Sequence, residues 1–159
     1  MRHEEVETKA PGRRQENTRL AALASYAILD TPPEPCYDTI ARLAAVYFGA
    51  DSACLGFADE SRVWLKSWWG QNIREIPRKD SIFDMILARD GPVVVPDVAQ
   101  YPYGDHRAVI LKISHAAFFA GVPVRTPDRQ IIGTLTVFAQ QPRTGITEDS
   151  CTCSKAWPT

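Results

Sequence analysis

Two strand-like runs, 117–124 and 130–139, flank Thr126-Pro127-Asp128-Arg129, and the second run is apolar on both of its faces. Ile131, Leu135 and Val137 point one way in a period of two, and Ile132 and Phe138 point the other. A strand with one solvated face alternates apolar with polar, so this one belongs to a sheet covered front and back. Proline at the second position of the intervening tetrapeptide suits a type I turn, which makes the pair a hairpin.

A second hairpin precedes it. Residues 53–58 read as a strand, Asp59-Glu60-Ser61 as a turn and 62–69 as the returning strand. Strict alternation puts Trp64, Lys66 and Trp68 on one face of that strand, and Val63, Leu65, Ser67 and Trp69 on the other. Upstream, Asn17 is a good helix N-cap. Leu20, Leu23, Ala24, Ala27 and Ile28 then follow at helical spacing, until Asp30-Thr31-Pro32-Pro33 ends the helix. A second helix is expected from about Pro35 to Phe48, with Tyr37, Ile40, Leu43, Ala44, Tyr47 and Phe48 buried and Gly49 as its C-cap. Asp80 or Ser81 can cap a third through Ala88, and residues 92–95 form a brief strand. Residues 96–113 show no period, and so long an irregular stretch in a compact domain is often functional. The helices can cover one face of the sheet, which leaves the region 70–113 to cover the other. Irregular chain packs less tightly than helices do, so a pocket is expected beneath it. Residues 1–15 and 150–159 read as tails around one domain spanning 16–149.

Several function classes are disfavoured at this stage. Lys plus Arg is 18, Asp plus Glu is 19 and the net charge is −1, so no basic stripe is available for a nucleic-acid backbone. The longest apolar stretch, 116–124, is broken by Pro123 and falls far short of the roughly 20 residues of a membrane span. The first residues are polar and lack the apolar core of a secretion signal, so a cytoplasmic location is expected. Cys36, Cys54, Cys151 and Cys153 then read as reduced thiols. The histidines have no zinc-site spacing, and no phosphate loop, GxSxG elbow or HExxH is present, so neither a metal site nor a catalytic residue is expected.

Read together, the segments resemble the GAF family, in the bacterial form found beside histidine kinase and diguanylate cyclase domains. The resemblance is carried by Glu16-Asn17-Thr18-Arg19-Leu20, Leu29-Asp30-Thr31-Pro32-Pro33-Glu34, Tyr37-Asp38, Asp59-Glu60, Arg62-Val63-Trp64-Leu65-Lys66-Ser67, Ile76-Pro77-Arg78 with Ser81, Val94-Val95-Pro96-Asp97, Phe119-Ala120-Gly121-Val122-Pro123-Val124 and Gly133-Thr134-Leu135-Thr136-Val137, in this order. It implies an α+β, PAS-like fold: an antiparallel sheet of five or six strands, helices on one face and a loop-covered ligand pocket on the other. It further implies a non-catalytic cytosolic sensor for a small molecule, dimerising through terminal helices, with any kinase or cyclase activity in a separate output domain.

The candidate ligand-binding residues are Trp64, Trp68, Phe83, Met85, Asp97, Tyr103, His106 and Phe119. Trp64 and Trp68 could stack on a planar ligand or fill the core. Phe83 stands where many relatives carry a cysteine, which makes the cavity smaller and more apolar. Asp97 fits a backbone-capping role better than a ligand-binding one. No cofactor is specified by these residues. A thiol-dependent free methionine sulfoxide reductase is the enzymatic alternative, but neither Cys36 nor Cys54 falls in the 70–113 cover. A covalent bilin would need a cysteine there, and 55–150 contains none. A dimerisation module with an empty pocket is the remaining alternative.

Overall fold

The structure is a computed structural model, and it describes residues 12–79, 81–100 and 109–143. In chain order the elements are α1 (Arg13–Ser25), α2 (Pro35–Phe48), β1 (Ser52–Ala58), β2 (Arg62–Trp69), β3 (Glu75–Pro77), α3 (Ile82–Arg89), β4 (Val93–Val95), a 3-10 turn (Val98–Gln100), α4 (Val109–Ile113), β5 (Phe118–Arg125) and β6 (Ile131–Ala139). The strands form one six-stranded sheet in the order β3-β2-β1-β6-β5-β4, with every pairing antiparallel. The two expected hairpins are β1–β2 and β5–β6, and they meet where β1 pairs with β6. The Arg129 amide donates to the Thr126 carbonyl at 2.8 Å and closes the second turn.

Both faces of the sheet are covered, as the last strand demands. Helices α1 and α2 pack on one face, against β1, β2 and β6. There Leu23 meets Leu55, Phe57 and Ile132, while Ala45 meets Ala53, Phe118 and Val137. Helix α3 packs on the other face against β4, β5 and β6. Phe83 and Ile86 of α3 join Val93, Val95, Phe119 and Phe138 in the largest core cluster. Each such side chain contributes roughly 1.5–3 kcal/mol when fully buried.

Two bulges reset the side-chain alternation. Leu55 pairs with Ser67 and Gly56 with Leu65, so Lys66 is left without a partner across the ladder. A single extra residue inverts the faces beyond it. Trp64 and Trp68 therefore lie on opposite faces, contrary to the sequence expectation. Trp68 enters the α3-side core, whereas Trp64 pairs with Phe57 of the helix-side cluster. A second shift, between Val124 and Arg125, does the same in β6. Ile131 joins Phe138 on the α3 side and Ile132 joins Leu135 on the helix side, the reverse of simple alternation.

The helices also differ from expectation. Helix α1 begins at Arg13, four residues before Asn17, and Gly12 is its N-cap, with its amide donating to Gln15 Oε1 at 3.3 Å. The helix ends at Ser25, and Ala27 and Asp30 adopt left-handed backbone conformations on the way to Pro32. Residues 13–15 are thus helical, although they were expected to belong to the tail. Helix α2 rests on Ala41 and Ala45, with Tyr37, Ala44 and Phe48 half-buried beside them. Ile40, Leu43 and Tyr47, expected to be buried, face outward and are 43%, 61% and 72% exposed. Small alanines let the helix approach the sheet closely, and that approach selects them over the bulkier row. The expected tails at 1–11 and 144–159 lie outside the described residues.

The connection between α1 and α2 is clasped onto β2 by charge. The Lys66 ammonium is buried and donates to Thr31 Oγ1 (2.6 Å) and to the Pro32 carbonyl (2.8 Å), with Glu34 completing its shell. Arg62 holds Asp30 in a two-pronged pair and also binds Asp59 and Glu75. Ser67 donates to Asp38 Oδ1 at 2.6 Å. A buried charge is tolerable only when its hydrogen-bonding groups are satisfied in this way. Asp30, Glu34, Asp38, Arg62, Lys66 and Ser67 all carry the sequence resemblance, and in this structure they hold the layers together.

Candidate functional site

The α3-side face holds a partly open cavity of about 20 Å³. Its floor is Cys54 and Gly56 of β1, Val63 and Leu65 of β2, and Thr134 and Thr136 of β6. Its roof is Ile76, Ser81, Ile82 and Phe83. The bulge in β2 matters here: it lets Val63 and Leu65 share the floor while Lys66 and Ser67 both reach the helix side. A volume of this size accommodates one water-sized group.

The chemistry of the lining is narrow. Ser81 is the N-cap residue of α3, yet its hydroxyl makes no capping bond, is buried and has no hydrogen-bond partner among the described residues. Thr134 and Thr136 supply two further hydroxyls from below. A buried hydroxyl without a partner is costly, so the cavity presents unmet hydrogen-bonding capacity. Among the described residues, no charged side chain lines it. Cys54 does line it, but burial pushes its thiol up to about 12, which leaves almost no thiolate near neutral pH. The exposed Cys36 opens α2, far from this floor in the opposite layer. Among the described residues, no group of three His, Cys, Asp or Glu side chains is placed to hold a metal ion.

The roof is tied to the opposite layer through Phe83. Its ring packs against two neighbouring guanidinium groups, that of Arg19 at 5.1 Å and that of Arg78 at 5.3 Å. Arg19 belongs to α1, is 2% exposed and donates to the Ala58 carbonyl at 2.7 Å. Arg78 lies just before α3 and donates to the Asp59 carbonyl at 2.7 Å and to Asp84 at 3.0 Å. Glu16 binds both arginines. The network wraps the turn end of the β1–β2 hairpin and joins α1 on one face to α3 on the other.

Glu16 makes that join sensitive to acid. Burial alone would raise its carboxyl, but hydrogen bonds and charge from Arg19 and Arg78 bring it down to about 2. Its stabilisation is fully present above the unfolded value, about 4.5, and fades as pH falls toward 2. Asp30 and Asp59 are also held below their ordinary values, Asp30 first by its hydrogen bonds to Arg62 and Asp59 by hydrogen bonds that overcome its burial. The Glu16→Gln variant should therefore lose less stability than the parent between pH 5 and pH 3. Urea titrations at the two pH values measure this, and equal losses in both proteins would contradict it.

The structure brings only part of the sequence-derived set together. Phe83 roofs the cavity; Phe119 and Trp68 are buried in the same core cluster, and Met85 packs half-buried against it. Trp64 lies on the other face beneath Arg62, whose guanidinium is 5.4 Å from its ring. Asp97 caps the 3-10 turn, accepting from the Ala99 amide at 3.0 Å and from Gln100 Nε2 at 3.1 Å. Tyr103 and His106 lie outside the described residues. The sequence reading missed Ser81 as a lining group, Thr134 and Thr136 as floor, and Arg19 and Arg78 as partners of Phe83. The threonines left a signal, because they alternate within a strand that is otherwise apolar.

The sequence that folds into this sheet, with its order 3-2-1-6-5-4, is matched by a family model. The model is that of the GAF domain, and it aligns with residues 32–152. This chain belongs to the GAF family. Among curated proteins, this GAF domain is similar to a cyclic di-GMP phosphodiesterase of Pseudomonas aeruginosa, at 26% identity over 133 residues. The alignment takes in 84% of this chain but only 23% of that protein. Among solved structures, it resembles the GAF domain of a phosphoenolpyruvate-protein phosphotransferase from Coxiella burnetii, with a TM-score of 0.61 at 16% identity, covering 92% and 90% of the two chains. It also resembles free methionine-R-sulfoxide reductase from Neisseria meningitidis in complex with its substrate, with a TM-score of 0.60 at 20% identity, covering 92% and 87%. At these identities the two structures establish the fold of the GAF domain alone. No helix among its described residues is long and apolar enough to cross a membrane.

Proposed function

We propose that this GAF domain is the small-molecule sensor of a bacterial signalling protein, and that it reads its ligand as a displacement of α3. The observation that carries this reading is the position of Phe83. One ring closes the cavity and also packs against the guanidinium groups of Arg19 of α1 and Arg78 of the segment leading to α3. In the arrangement described, the cavity has room for little more than a water-sized group. A ligand larger than that binds only if Phe83 and the N-terminal turn of α3 move outward. Such movement removes the ring from both guanidinium groups and loosens α1. The ligand thereby shifts the population between a closed and an open roof by its difference in affinity for the two. The hydroxyls of Ser81, Thr134 and Thr136 favour a compact, uncharged polar group at the buried end of the ligand.

The reductase alternative draws on the likeness to the methionine-R-sulfoxide reductase fold. The buried, high-pKa thiol of Cys54 speaks against it, since thiol attack requires an accessible thiolate.

Thermal-shift screening of the full chain with small neutral metabolites, followed by amide hydrogen exchange on any hit, tests the proposal. The expected hit raises Tm and speeds exchange in α1 relative to the sheet. A hit that leaves α1 unchanged, or binding unaffected by Thr136→Val, would sink the reading.

A further inference from the structure

A second and larger opening lies outside the roofed cavity. It has a volume of about 280 Å³ and sits where the N-terminal turns of α2, the end of β2 and the connection to β3 converge. It opens to solvent between Asp38, Trp68, Trp69, Gln71, Asn72 and Arg74. The volume is just under the roughly 300–1,000 Å³ of drug-sized ligand sites, so its occupant has few heavy atoms.

Its charges are arranged unusually. Asp38 and Arg74 line the same cleft yet form no ion pair with each other. One oxygen of Asp38 accepts from Ser67, which fixes the carboxylate on the wall and leaves the second oxygen available. The Arg74 guanidinium has no hydrogen-bond or ion-pair partner among the described residues, although its backbone is anchored by the Leu65 amide at 2.7 Å. The amide side chains of Gln71 and Asn72 likewise have none. Trp68 borders the cleft, while its ring packs into the α3-side core against Phe138. An acid and a base that share a cleft without neutralising each other are complementary to a molecule carrying both signs of charge. Arginine recognises a carboxylate with a planar fork, and a fixed carboxylate recognises an ammonium.

We infer that this cleft is a binding site for a small zwitterion of the free α-amino acid class. Its carboxylate meets Arg74, its ammonium meets Asp38, and the side-chain amides of Gln71 and Asn72 take part in choosing among side chains. The site is independent of the roofed cavity, since the two share no lining residue. Binding draws on α2 through Asp38 and on β2 through Trp68 and Trp69, so it adds a second input at the opposite end of the clasped layer.

Isothermal titration of the full chain with each of the common free amino acids is the test, with the N-acetyl and the carboxamide derivatives of any binder as controls. The expected result is saturable binding of at least one amino acid, weakened about tenfold or more by either derivative. Arg74→Gln should abolish discrimination against the carboxamide, and Asp38→Asn should abolish discrimination against the N-acetyl form. Arg74 is exposed, and Asp38→Asn keeps an oxygen to accept from Ser67, so both variants are expected to fold. Circular dichroism checks that they do. Absence of saturable binding by every amino acid overturns the inference. So does a binder that tolerates both derivatives, or one that is unaffected by both substitutions.

Discussion

Phe83→Ala is expected to lower the stability of this domain by about 3–5 kcal/mol, the cost typical of truncating a buried phenylalanine. At roughly 2–4 °C per kcal/mol for a domain of this size, the fall in Tm is unmistakable in a thermal scan. Phe83 is 2% exposed and packs within the main core cluster, so most of the loss is lost packing. What sets this position apart is a second effect. Removing the ring enlarges the cavity between the apolar walls of Val63, Leu65, Ile76 and Ile82 and the hydroxyls of Ser81, Thr134 and Thr136, a lining suited to a small ring that carries one polar group. Phenol should therefore restore part of the lost Tm in Phe83→Ala. Phe119→Ala, with an equally buried ring in the same cluster, is the comparison for stability alone. A cost below about 1 kcal/mol for Phe83→Ala would mean that the ring does not close the core as described.

Gly133→Ala is expected to be more damaging still. An alanine Cβ at this position would lie 2.2 Å from the Gly56 carbonyl oxygen and 2.9 Å from a ring carbon of Phe57. The obstacle is main chain in β1, at the middle of the sheet, and it cannot rotate aside as a side chain can. The β1–β6 pairing that joins the two hairpins has to open, and a loss above about 4 kcal/mol follows. Gly121→Ala is the matched comparison. Its Cβ would meet Ile86 Cδ1 at 2.6 Å, the end of a flexible side chain, and overpacking of that kind costs about 1–3 kcal/mol. Urea midpoints at unchanged m-value rank the two. An equal or smaller effect at Gly133 would contradict the β1–β6 register.

Both predictions rest on features the sequence exposes unevenly. The two hairpins, the coverage of both sheet faces and the space-filling role of Phe83 were legible, because they depend on period and residue size. The faces of β2 and β6 were not. A bulge at Lys66 or near Ile132 leaves no mark in a pattern of period two, and one extra residue inverts every assignment beyond it. Helix α2 defeated the periodicity argument for another reason. It is apolar on two faces, and only the closeness of the sheet decides that Ala41 and Ala45 go inward while Leu43 and Tyr47 stay out. Arg19 was equally hidden. Charged residues are rarely fully buried, and its burial depends on Glu16, the Ala58 carbonyl and the Phe83 ring, which come from distant parts of the chain.

The family resemblance was legible for a reason now visible in the contacts. Many of the residues that carry it form the clasp of α1 and α2 onto β2, and the wrap around the hairpin turn. They report the fold and the tie between its layers. The cavity lining is a different set, and only Val63, Leu65, Ile76, Ser81, Thr134 and Thr136 belong to both.

A double-mutant cycle between Arg19→Met and Phe83→Leu, read by urea unfolding, tests most directly whether the roof and α1 are energetically one unit. If the ring and the guanidinium act together, the two substitutions are non-additive by about 0.5–2 kcal/mol. Additivity within about 0.3 kcal/mol would show that α3 and α1 are merely neighbours, and the route from cavity to helix would be lost.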